Sequence, residues 1–520
     1  MKSLESIINR LYSARKDSPQ EQLDLVIDLS RRGFLRQVVG GVALGVAMSF
    51  CNHKSIADGI NGLPDMGDTD RSNLSPYQAD LLGKQVILQI YASGDMLEDF
   101  DCLDYLNTLG GNLVSYSPMA GQQFNFYLIK DKEINAFALP GGYICAYNGL
   151  IYATMSEAEL SSVLAHEIGH VIQHHIFRNI SVANRAQWLT IAGIIAGALM
   201  APIAPGAAII AAQSGQGAGI QSQLSFSRDY EREADRVGQQ LMYQAGFDAH
   251  AMPEFFQRMQ DAYKFNANDA LAFLQTHPVT VERLSEAEVR ANQMPVKMRQ
   301  DSIDFLLTRE KCRVRQIGSE DAVKFYRNAL SNKRYVNIDA QYYGLALGYY
   351  LNKDYKNSIA ILNKVSSKSV QGHPMTLGLK ALQLIGVGNT KLADTLYDQA
   401  LQDYPNHKGL WMGQIQFLIS TRNYPKAANR LDTLAQTNTS DPDVWDQYAI
   451  LYSDGKYNQP VKYHYGLGSE FYYIGNYKMA MEQYQAALKL KPAKPGDTDI
   501  QDLISARIPE INAKLQLLKS

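Results

Sequence analysis

Apolar residues recur at helical spacing in the segment that begins near residue 156. Leu160, Leu164 and Ile168 fall on one face of a helix, which predicts that this face packs against a core. Ser156 followed by Glu159 forms a capping box, and such a box predicts that the helix begins here. The polar residues of the segment then lie on a neighbouring face of the same helix.

Short runs of β-branched and aromatic residues precede this helix. They are residues 124–129 (FNFYLI), 134–139 (INAFAL) and 142–147 (GYICAY), separated by the turn signals KDKE and PGG. This pattern predicts a small antiparallel sheet immediately before the helix. A second amphipathic helix is predicted further along the chain, where apolar positions keep helical spacing up to a closing Gly246.

From about residue 319 the pattern changes to pairs of helices. Tyr355, Thr390 and Tyr424 each open a similar phrase, at spacings of 35 and 34 residues. Tyr477 opens a fourth phrase after a longer gap. This period is typical of tetratricopeptide repeats, which stack helix pairs into a solenoid; an unrelated helical bundle is the alternative. A small residue in each phrase lets the paired helices approach closely: Ser358, Ala393, Ala427 and Ala480.

The N-terminal residues have the pattern of an export signal. Arg31 and Arg32 precede an apolar stretch, residues 37–50, that is too short to span a bilayer comfortably. The spacing S-R-R-x-F-L resembles a bacterial twin-arginine signal. We therefore predict an export signal over residues 1–57 and a linker over 58–75. A buried N-terminal helix is the alternative.

Composition and charge exclude some classes of partner and site. Of the 520 residues, 46% are hydrophobic and 20% are charged, as in an ordinary soluble globular protein. The formal net charge of −2 gives no reason to expect a nucleic-acid partner. Cys51, Cys102, Cys145 and Cys312 are too scattered for a disulfide framework or a cysteine zinc site, although one bridge stays open.

The segment HEIGH, residues 166–170, carries the candidate chemistry. His166 and His170 are four residues apart, so both imidazoles project on one helix face and can reach one zinc ion. Glu167 can reach a metal-bound water and act as general base. A core helix that carries histidines by coincidence is the alternative. His174 lies about 6 Å further along the axis, and we expect His174 and His175 to be ordinary polar positions.

The third ligand is predicted on the second helix. Glu231 and Asp235 are four residues apart and share a helix face. Glu231 would complete a His₂Glu site with one position open. Asp235 would orient a ligand histidine from outside the site, and Glu233 would be solvated. A charged surface helix is the alternative for this segment.

The motif HEIGH, followed after about sixty residues by EREAD, resembles the HtpX-like family of zinc metallopeptidases. More narrowly, an export signal, this motif pair and C-terminal repeats resemble the periplasmic BepA-type members. The resemblance implies an α+β, mostly α gluzincin-type domain followed by an all-α repeat solenoid. It implies one zinc ion on His166, His170 and Glu231, with Glu167 as the base.

The resemblance also gives roles to three further segments. His277 would either occupy the open zinc position and inhibit, or hydrogen-bond the oxyanion; a loop histidine held by Pro278 is the alternative. An edge strand beside the cleft would pair with an extended substrate, unless it is an interior strand: Ile134, Asn135, Ala136, Phe137, Ala138 and Leu139. In membrane-integral relatives, the interval that corresponds to residues 188–212 carries membrane-spanning helices. Prolines interrupt that segment here, so we expect a mobile flap or a peripheral membrane contact, with a membrane hairpin as the alternative.

These features together predict a zinc metallopeptidase domain over residues 76–300 and a repeat domain over 301–520. The expected function is a periplasmic zinc endopeptidase of a Gram-negative bacterium that degrades misfolded or stalled envelope and outer-membrane proteins. The resemblance implies the outer-membrane β-barrel assembly machinery as a partner of the repeats. Two alternatives stay open: a repeat-based chaperone or assembly factor with a largely shut peptidase site, and a membrane-integral peptidase with an uncleaved N-terminus.

Overall fold

The computed structural model describes residues 76–175, 228–264 and 271–519. The predicted export signal, the linker and the apolar segment 188–212 lie outside these residues. Within the described ranges, every helix is too short or too polar to cross a lipid bilayer.

The first part of the described chain combines helices with one small sheet. Its elements are α1 (Pro76–Ser93), α2 (Phe100–Ser115), β1 (Asn125–Ile129), β2 (Ala136–Leu139), β3 (Tyr143–Tyr147), α3 (Asn148–Ala153), α4 (Glu157–Ile172), α5 (Arg228–Gln244), α6 (Ala251–Lys264), α7 (Leu271–Thr276) and α8 (Val281–Asn292). The helix predicted from the capping box is α4. Ser156 caps it by accepting a hydrogen bond from the backbone N–H of Glu159.

The sheet has the strand order β1-β3-β2. β2 pairs antiparallel with β3, but β1 pairs parallel with β3, so the prediction of an antiparallel sheet is wrong for β1. Alternation along a strand fixes which face is buried and carries no information on strand direction. Gly141 and Gly142 turn the β2–β3 hairpin at φ +83° and +81°, where a side chain would be strained. β2 is therefore at an edge of the described sheet.

Two glycines let α4 and α5 pack closely. A Cβ on Gly238 of α5 would lie 2.8 Å from the backbone nitrogen of His166, which is closer than real Cβ contacts. A Cβ on Gly169 of α4 would lie 3.0 Å from the carbonyl oxygen of Ala234. Because neither position carries a side chain, the polar faces of the two helices meet directly.

The rest of the chain is helical, as the repeat pattern predicts. The helices are α9 (Ile303–Ile317), α10 (Ser319–Ser331), α11 (Ile338–Leu351), α12 (Tyr355–Leu362), α13 (Lys368–Gln371), α14 (Pro374–Gly386), α15 (Thr390–Asp403), α16 (Lys408–Ser420), α17 (Tyr424–Thr437), α18 (Pro442–Ser453), α19 (Pro460–Tyr473), α20 (Tyr477–Lys489) and α21 (Asp497–Lys519). Four of them begin at the residues that open the repeated phrases. The four small residues of these phrases are all fully buried.

The repeat helices pack against the first part of the chain. One hydrophobic core runs from Leu97, in the loop before α2, to Leu379 in α14, and Leu81 of α1 packs against the last repeat helices. Between α2 and the repeats lies a cavity of about 170 Å³. Its lining comes from the loop before α2 and from α11, α14, α16 and α18 among other elements. The division into domains at residue 300 stays a prediction, since the core continues across it.

The cysteines of the described residues are buried and free. Cys102 of α2 and Cys312 of α9 approach each other, with their sulfur atoms 3.9 Å apart. Cys145 lies in β3, and Cys51 lies outside the described residues. The sequence left one disulfide bond open. Among the described cysteines, Cys102 and Cys312 are the pair whose sulfur atoms lie near each other.

Candidate metal centre

The helices α4 and α5 bring the predicted ligands together. His166 and His170 project from α4, Glu231 projects from the first turn of α5, and His277 follows the end of α7. All four side chains are buried. Each offers one ligand atom, and these atoms lie within 4.8 Å of one another. Four residues that are up to 111 positions apart in sequence therefore converge on one point.

The distances between these atoms suit a single tetrahedral ion. His166 Nε2 lies 3.0 Å from His170 Nε2 and 3.5 Å from Glu231 Oε2. His170 Nε2 lies 3.4 Å from Glu231 Oε1. His277 Nδ1 lies 3.3 Å from His166 Nε2 and 3.1 Å from Glu231 Oε1. Ligands that each bond zinc at about 2.0–2.1 Å in a tetrahedron are separated by about 3.3–3.4 Å, so the donor set fits zinc.

The groups around His166 and His170 set where these two rings carry their protons. His166 Nδ1 faces Asp235 Oδ1 at 2.9 Å, which places the ring proton on Nδ1 and leaves the Nε2 lone pair directed into the cluster. Asp235 thus contacts the ring nitrogen of His166 that points away from the cluster. His170 is held in its neutral form, because burial lowers its pKa to about 3 against the hydrogen bond to Glu231. Burial lowers the pKa of His166, but the hydrogen bonds to Asp235 and Glu231 outweigh it and raise that pKa to about 10, so in the metal-free cluster the Nε2 lone pair carries a second proton, which a metal ion replaces on binding.

Arg283 of α8 anchors the carboxylates of α5 and was missed by sequence reasoning. It is buried, and its Nε and Nη2 donate to the two oxygens of Asp235 at 2.7 and 2.8 Å. Its Nη1 lies 2.7 Å from Glu231 Oε2 and donates to the carbonyl oxygen of Pro278 at 2.8 Å. One guanidinium thus ties Glu231, Asp235 and the backbone after His277 together. The sequence signal is weak, since arginines near acidic helices are common.

Glu167 lies beside the cluster and is completely buried. Neither of its oxygens makes a well-aligned hydrogen bond within the described residues, and His277 Nε2 lies 3.4 Å from Oε1. Burial raises the pKa of Glu167, while the charges of His277 and His166 and the backbone N–H of Ala138 work against this rise. A carboxylate with a raised pKa next to the ligand atoms is suited to exchanging protons.

The predicted substrate strand is shorter than expected. β2 covers Ala136 to Leu139, and Ile134 and Asn135 belong to the preceding loop. Tyr147 N donates to Asn135 O, so with the β2–β3 register the backbone groups of Ala136 and Ala138 point away from β3. The Asn135 side chain accepts from the N–H of Ala136 at 2.9 Å. The outward side of Ala138 thus faces the cluster at Glu167.

The sequence-based interpretation of His175 as an ordinary polar position is wrong. α4 ends at Ile172, and His174 takes a left-handed φ of +53°, which interrupts the helical path of the chain. His175 is consequently buried, with its Nδ1 3.0 Å from His170 Nδ1. Glu233 is partly exposed, but its Oε2 lies 3.1 Å from His175 Nε2. A helix continued past residue 172 would have pointed His175 elsewhere, and no local pattern predicts the left-handed backbone at His174.

Comparison with known proteins finds family matches both in the part of the chain that carries the metal cluster and in the repeat region. Residues 104–291 match the model of peptidase family M48, and residues 384–451 match a tetratricopeptide repeat model. The beta-barrel assembly-enhancing protease of Yersinia pestis is 31% identical over 391 residues, which cover 74% of this chain and 79% of that protein. The protein of the same name from Escherichia coli (strain K12) is 37% identical over 258 residues, 49% of this chain and 53% of its own length.

A relative from Vibrio cholerae serotype O1 is 34% identical over 316 residues, which are 60% of this chain and 64% of the relative. The chain thus spans about half to two thirds of the length of the Vibrio cholerae and Escherichia coli relatives. Metallopeptidases of family M48 use zinc, and the buried group of three histidines and Glu231 is suited to one such ion. Motif pair, repeats and sequence similarity agree: the chain belongs to peptidase family M48, alongside the beta-barrel assembly-enhancing proteases.

Proposed function

We propose that the protein is a zinc metalloendopeptidase in which His166, His170 and Glu231 hold the metal. The observation that carries this proposal is the convergence of buried ligand atoms at 3.0 to 3.5 Å, with the Glu167 carboxylate beside them. A bound zinc ion supplies Lewis-acid chemistry at this point. Asp235 contacts His166, and Arg283 contacts both Asp235 and Glu231; these contacts fix the orientation of the ligand side chains.

Glu167 acts as the general base of the proposed reaction. Its carboxylate takes a proton from the water that attacks the scissile carbonyl and then delivers that proton to the leaving amine. Both transfers need a pKa nearer to neutrality than that of an exposed glutamate, and burial raises the pKa of Glu167 in this direction. Removal of such a base typically costs about 10²- to 10⁴-fold in rate.

The edge strand β2 holds an extended substrate. The backbone groups of Ala136 and Ala138 point away from β3, so a peptide can add to this edge through main-chain hydrogen bonds once it displaces the Asn135 side chain from the N–H of Ala136. Since Ala138 also lies next to Glu167, such a peptide is brought to the proposed base. Binding of this kind depends on an extended backbone more than on side chains, which suits unfolded substrates.

His277 occupies the fourth position of the cluster in the resting protein. Its Nδ1 is 3.1 Å from Glu231 Oε1 and 3.3 Å from His166 Nε2, at the distances expected between ligands of one ion. A substrate must displace it. If the open form amounts to about 0.1–10% of the molecules, His277→Ala raises the cleavage rate by about tenfold or more. A lower rate would instead assign His277 to the oxyanion, and an unchanged rate would reject both roles.

The substrates are misfolded or stalled proteins of the bacterial envelope, and the repeats dock a partner. This part of the proposal rests on the names of the relatives, which are beta-barrel assembly-enhancing proteases, and on the general use of such repeats in protein binding. It implies export to the periplasm, by the twin-arginine route that the N-terminal pattern favours. The outer-membrane β-barrel assembly machinery is the partner that this view expects.

The test compares the zinc-loaded chain with its Glu167→Gln variant on an unfolded protein. We expect cleavage by the wild type and a rate about 10²- to 10⁴-fold lower for the variant, with the same zinc content in both. The Asp229→Asn variant serves as a control, because Asp229 is an exposed carboxylate on α5 outside the ligand set. Equal cleavage by the wild type and Glu167→Gln would contradict the proposed base. Absence of cleavage by zinc-loaded wild type and His277→Ala alike would favour the alternative of a chaperone or assembly factor with a shut site.

A further inference from the structure

We propose that His175 is a positioning residue for the metal site, acting together with Glu233. In this arrangement His175 fixes the ring proton of His170 on Nδ1, so that His170 Nε2 presents its lone pair to the metal. The proposal rests on the zinc site of the proposed function, but it concerns metal affinity and does not depend on peptidase activity.

Three contacts define the arrangement. His175 Nδ1 lies 3.0 Å from His170 Nδ1, and His175 Nε2 lies 3.1 Å from Glu233 Oε2. The His175 ring stacks on Tyr230, with ring centroids 4.6 Å apart and planes at 12°. His175 is fully buried, whereas the Glu233 side chain is about 30% exposed. The row His170, His175 and Glu233 therefore leads from the metal cluster towards the surface.

The position of the protons follows from the carboxylate end of this row. A carboxylate only accepts, so the contact with Glu233 places a proton on His175 Nε2. The Nδ1 of a neutral His175 is then an acceptor, and the 3.0 Å contact requires His170 Nδ1 to donate. The only nitrogen of a neutral His170 that keeps a lone pair is Nε2, which faces the cluster. One assignment thus satisfies all three residues and metal ligation together.

The two ligand histidines are consequently supported in different ways. His166 Nδ1 faces the carboxylate of Asp235 directly, at 2.9 Å. His170 Nδ1 reaches a carboxylate through a second imidazole, because the left-handed residue His174 interrupts the helix and places His175 between His170 and Glu233. A metal-ligating histidine almost always donates its other N–H to such a partner, and loss of the partner typically costs about 10–100-fold in metal affinity or activity.

A matched pair of variants isolates the hydrogen bond. Asn and Leu are similar in size and both lose the stacking on Tyr230, but Asn keeps an acceptor oxygen near the position of Nδ1, which Leu lacks. The zinc dissociation constant of the full chain is measured by competition with a chelator, without substrate. We expect it to rise by about 10–100-fold for His175→Leu and by about threefold at most for His175→Asn. The absorption spectrum of the Co²⁺-substituted protein should change for Leu and be retained for Asn.

Equal dissociation constants for the two variants would overturn the proposal, whether both match the wild type or both are weakened. If His175→Leu fails to fold, Glu233→Ala takes its place, because its partly exposed side chain can be removed without opening the core. That variant should weaken zinc binding measurably, and wild-type affinity would remove Glu233 from the arrangement. His174→Asn, one residue before His175 but exposed, keeps a residue type that tolerates the left-handed φ of this position and should bind zinc as the wild type does.

Discussion

Two buried clusters of charged and polar side chains in this protein differ in how their donors and acceptors are matched. In the first, Asp99 before α2 is contacted by Lys311 and Arg315 of α9, with Lys311 Nζ 2.7 Å from Oδ1 and Arg315 Nε 2.6 Å from Oδ2. In the second, the metal cluster, His166 Nε2 and His170 Nε2 face each other at 3.0 Å beside the Glu231 carboxylate.

The difference separates a structural cluster from a metal site. Every oxygen of Asp99 faces a cationic donor, so the first cluster is satisfied by the protein and joins α2 to α9. In the second cluster lone pairs converge on lone pairs, an arrangement that repels itself unless a cation lies between them. Burial increases both effects, since charges and dipoles interact more strongly in a medium of low dielectric constant. Convergence of acceptors, more than burial or charge, indicates the metal.

The largest expected effect is on metal binding when one converging acceptor is neutralised. Glu231→Gln keeps the size of the side chain but removes the charge and one acceptor oxygen. We expect the zinc dissociation constant, measured by chelator competition, to rise more than about 100-fold, beyond the range for a partner outside the ligand set. Asp229→Asn is the matched control, because Asp229 lies on the same helix but is exposed and pairs with Arg232. Similar zinc affinity in both variants would contradict the ligand assignment.

The second effect is on stability when the matched cluster loses its carboxylate. Asp99→Ala removes the carboxylate that Arg315 contacts, leaves Lys311 with Asp101 as its acidic partner, and also removes the side-chain cap of α2. Breaking a buried ion pair in this way costs about 3–5 kcal/mol of unfolding free energy, measured by urea denaturation. Zinc affinity should be unchanged. Asp321→Ala, which removes an exposed pair with Lys324, should leave stability unchanged, and an equally small effect of Asp99→Ala would refute the account of this cluster.

The third and smallest effect is the pH dependence of that contribution. Burial alone would raise the pKa of Asp99, but Lys311 and Arg315 hold it well below its usual value of 3.8. A lowered folded-state pKa gives stability that is present above the unfolded-state pKa and is lost as pH falls towards the folded-state pKa. The difference in stability between the wild type and Asp99→Asn should therefore be constant from pH 7 to about pH 5 and shrink below about pH 4. A difference that stays constant down to pH 3 would contradict this coupling.

The sequence predicted what local periodicity encodes. Ser156, the apolar face of α4 and the phrases that open at Tyr355 and Tyr424 depend on residues within a turn or two, so they could be placed from spacing. The contact of Arg283 with Asp235 joins residues 48 positions apart, and it depends on how α8 packs against α5. No local pattern specifies such a contact.

Two further failures have equally physical causes. The direction of β1 in the sheet depends on which strand lies in the middle, and the alternation of side chains does not encode that order. The burial of His175 depends on one left-handed residue, His174, which interrupts a helix that the apolar pattern would have continued. The spacing of His166 and His170 on α4, and of Glu231 and Asp235 on α5, could be predicted because each pair lies on one helix. The contact of His175 with His170 could not, because it depends on the backbone of His174 between them.

The most direct test of the central claim is a titration of the metal-free full chain with Zn²⁺, followed by the unfolding midpoint. If converging acceptors require a cation, one equivalent binds per chain and the midpoint rises with zinc concentration, since a ligand that binds only the folded state stabilises it. A His166→Ala, Glu231→Ala double variant should show neither effect. Binding of one equivalent with the same affinity to the double variant, or no binding to the wild type, would contradict the claim.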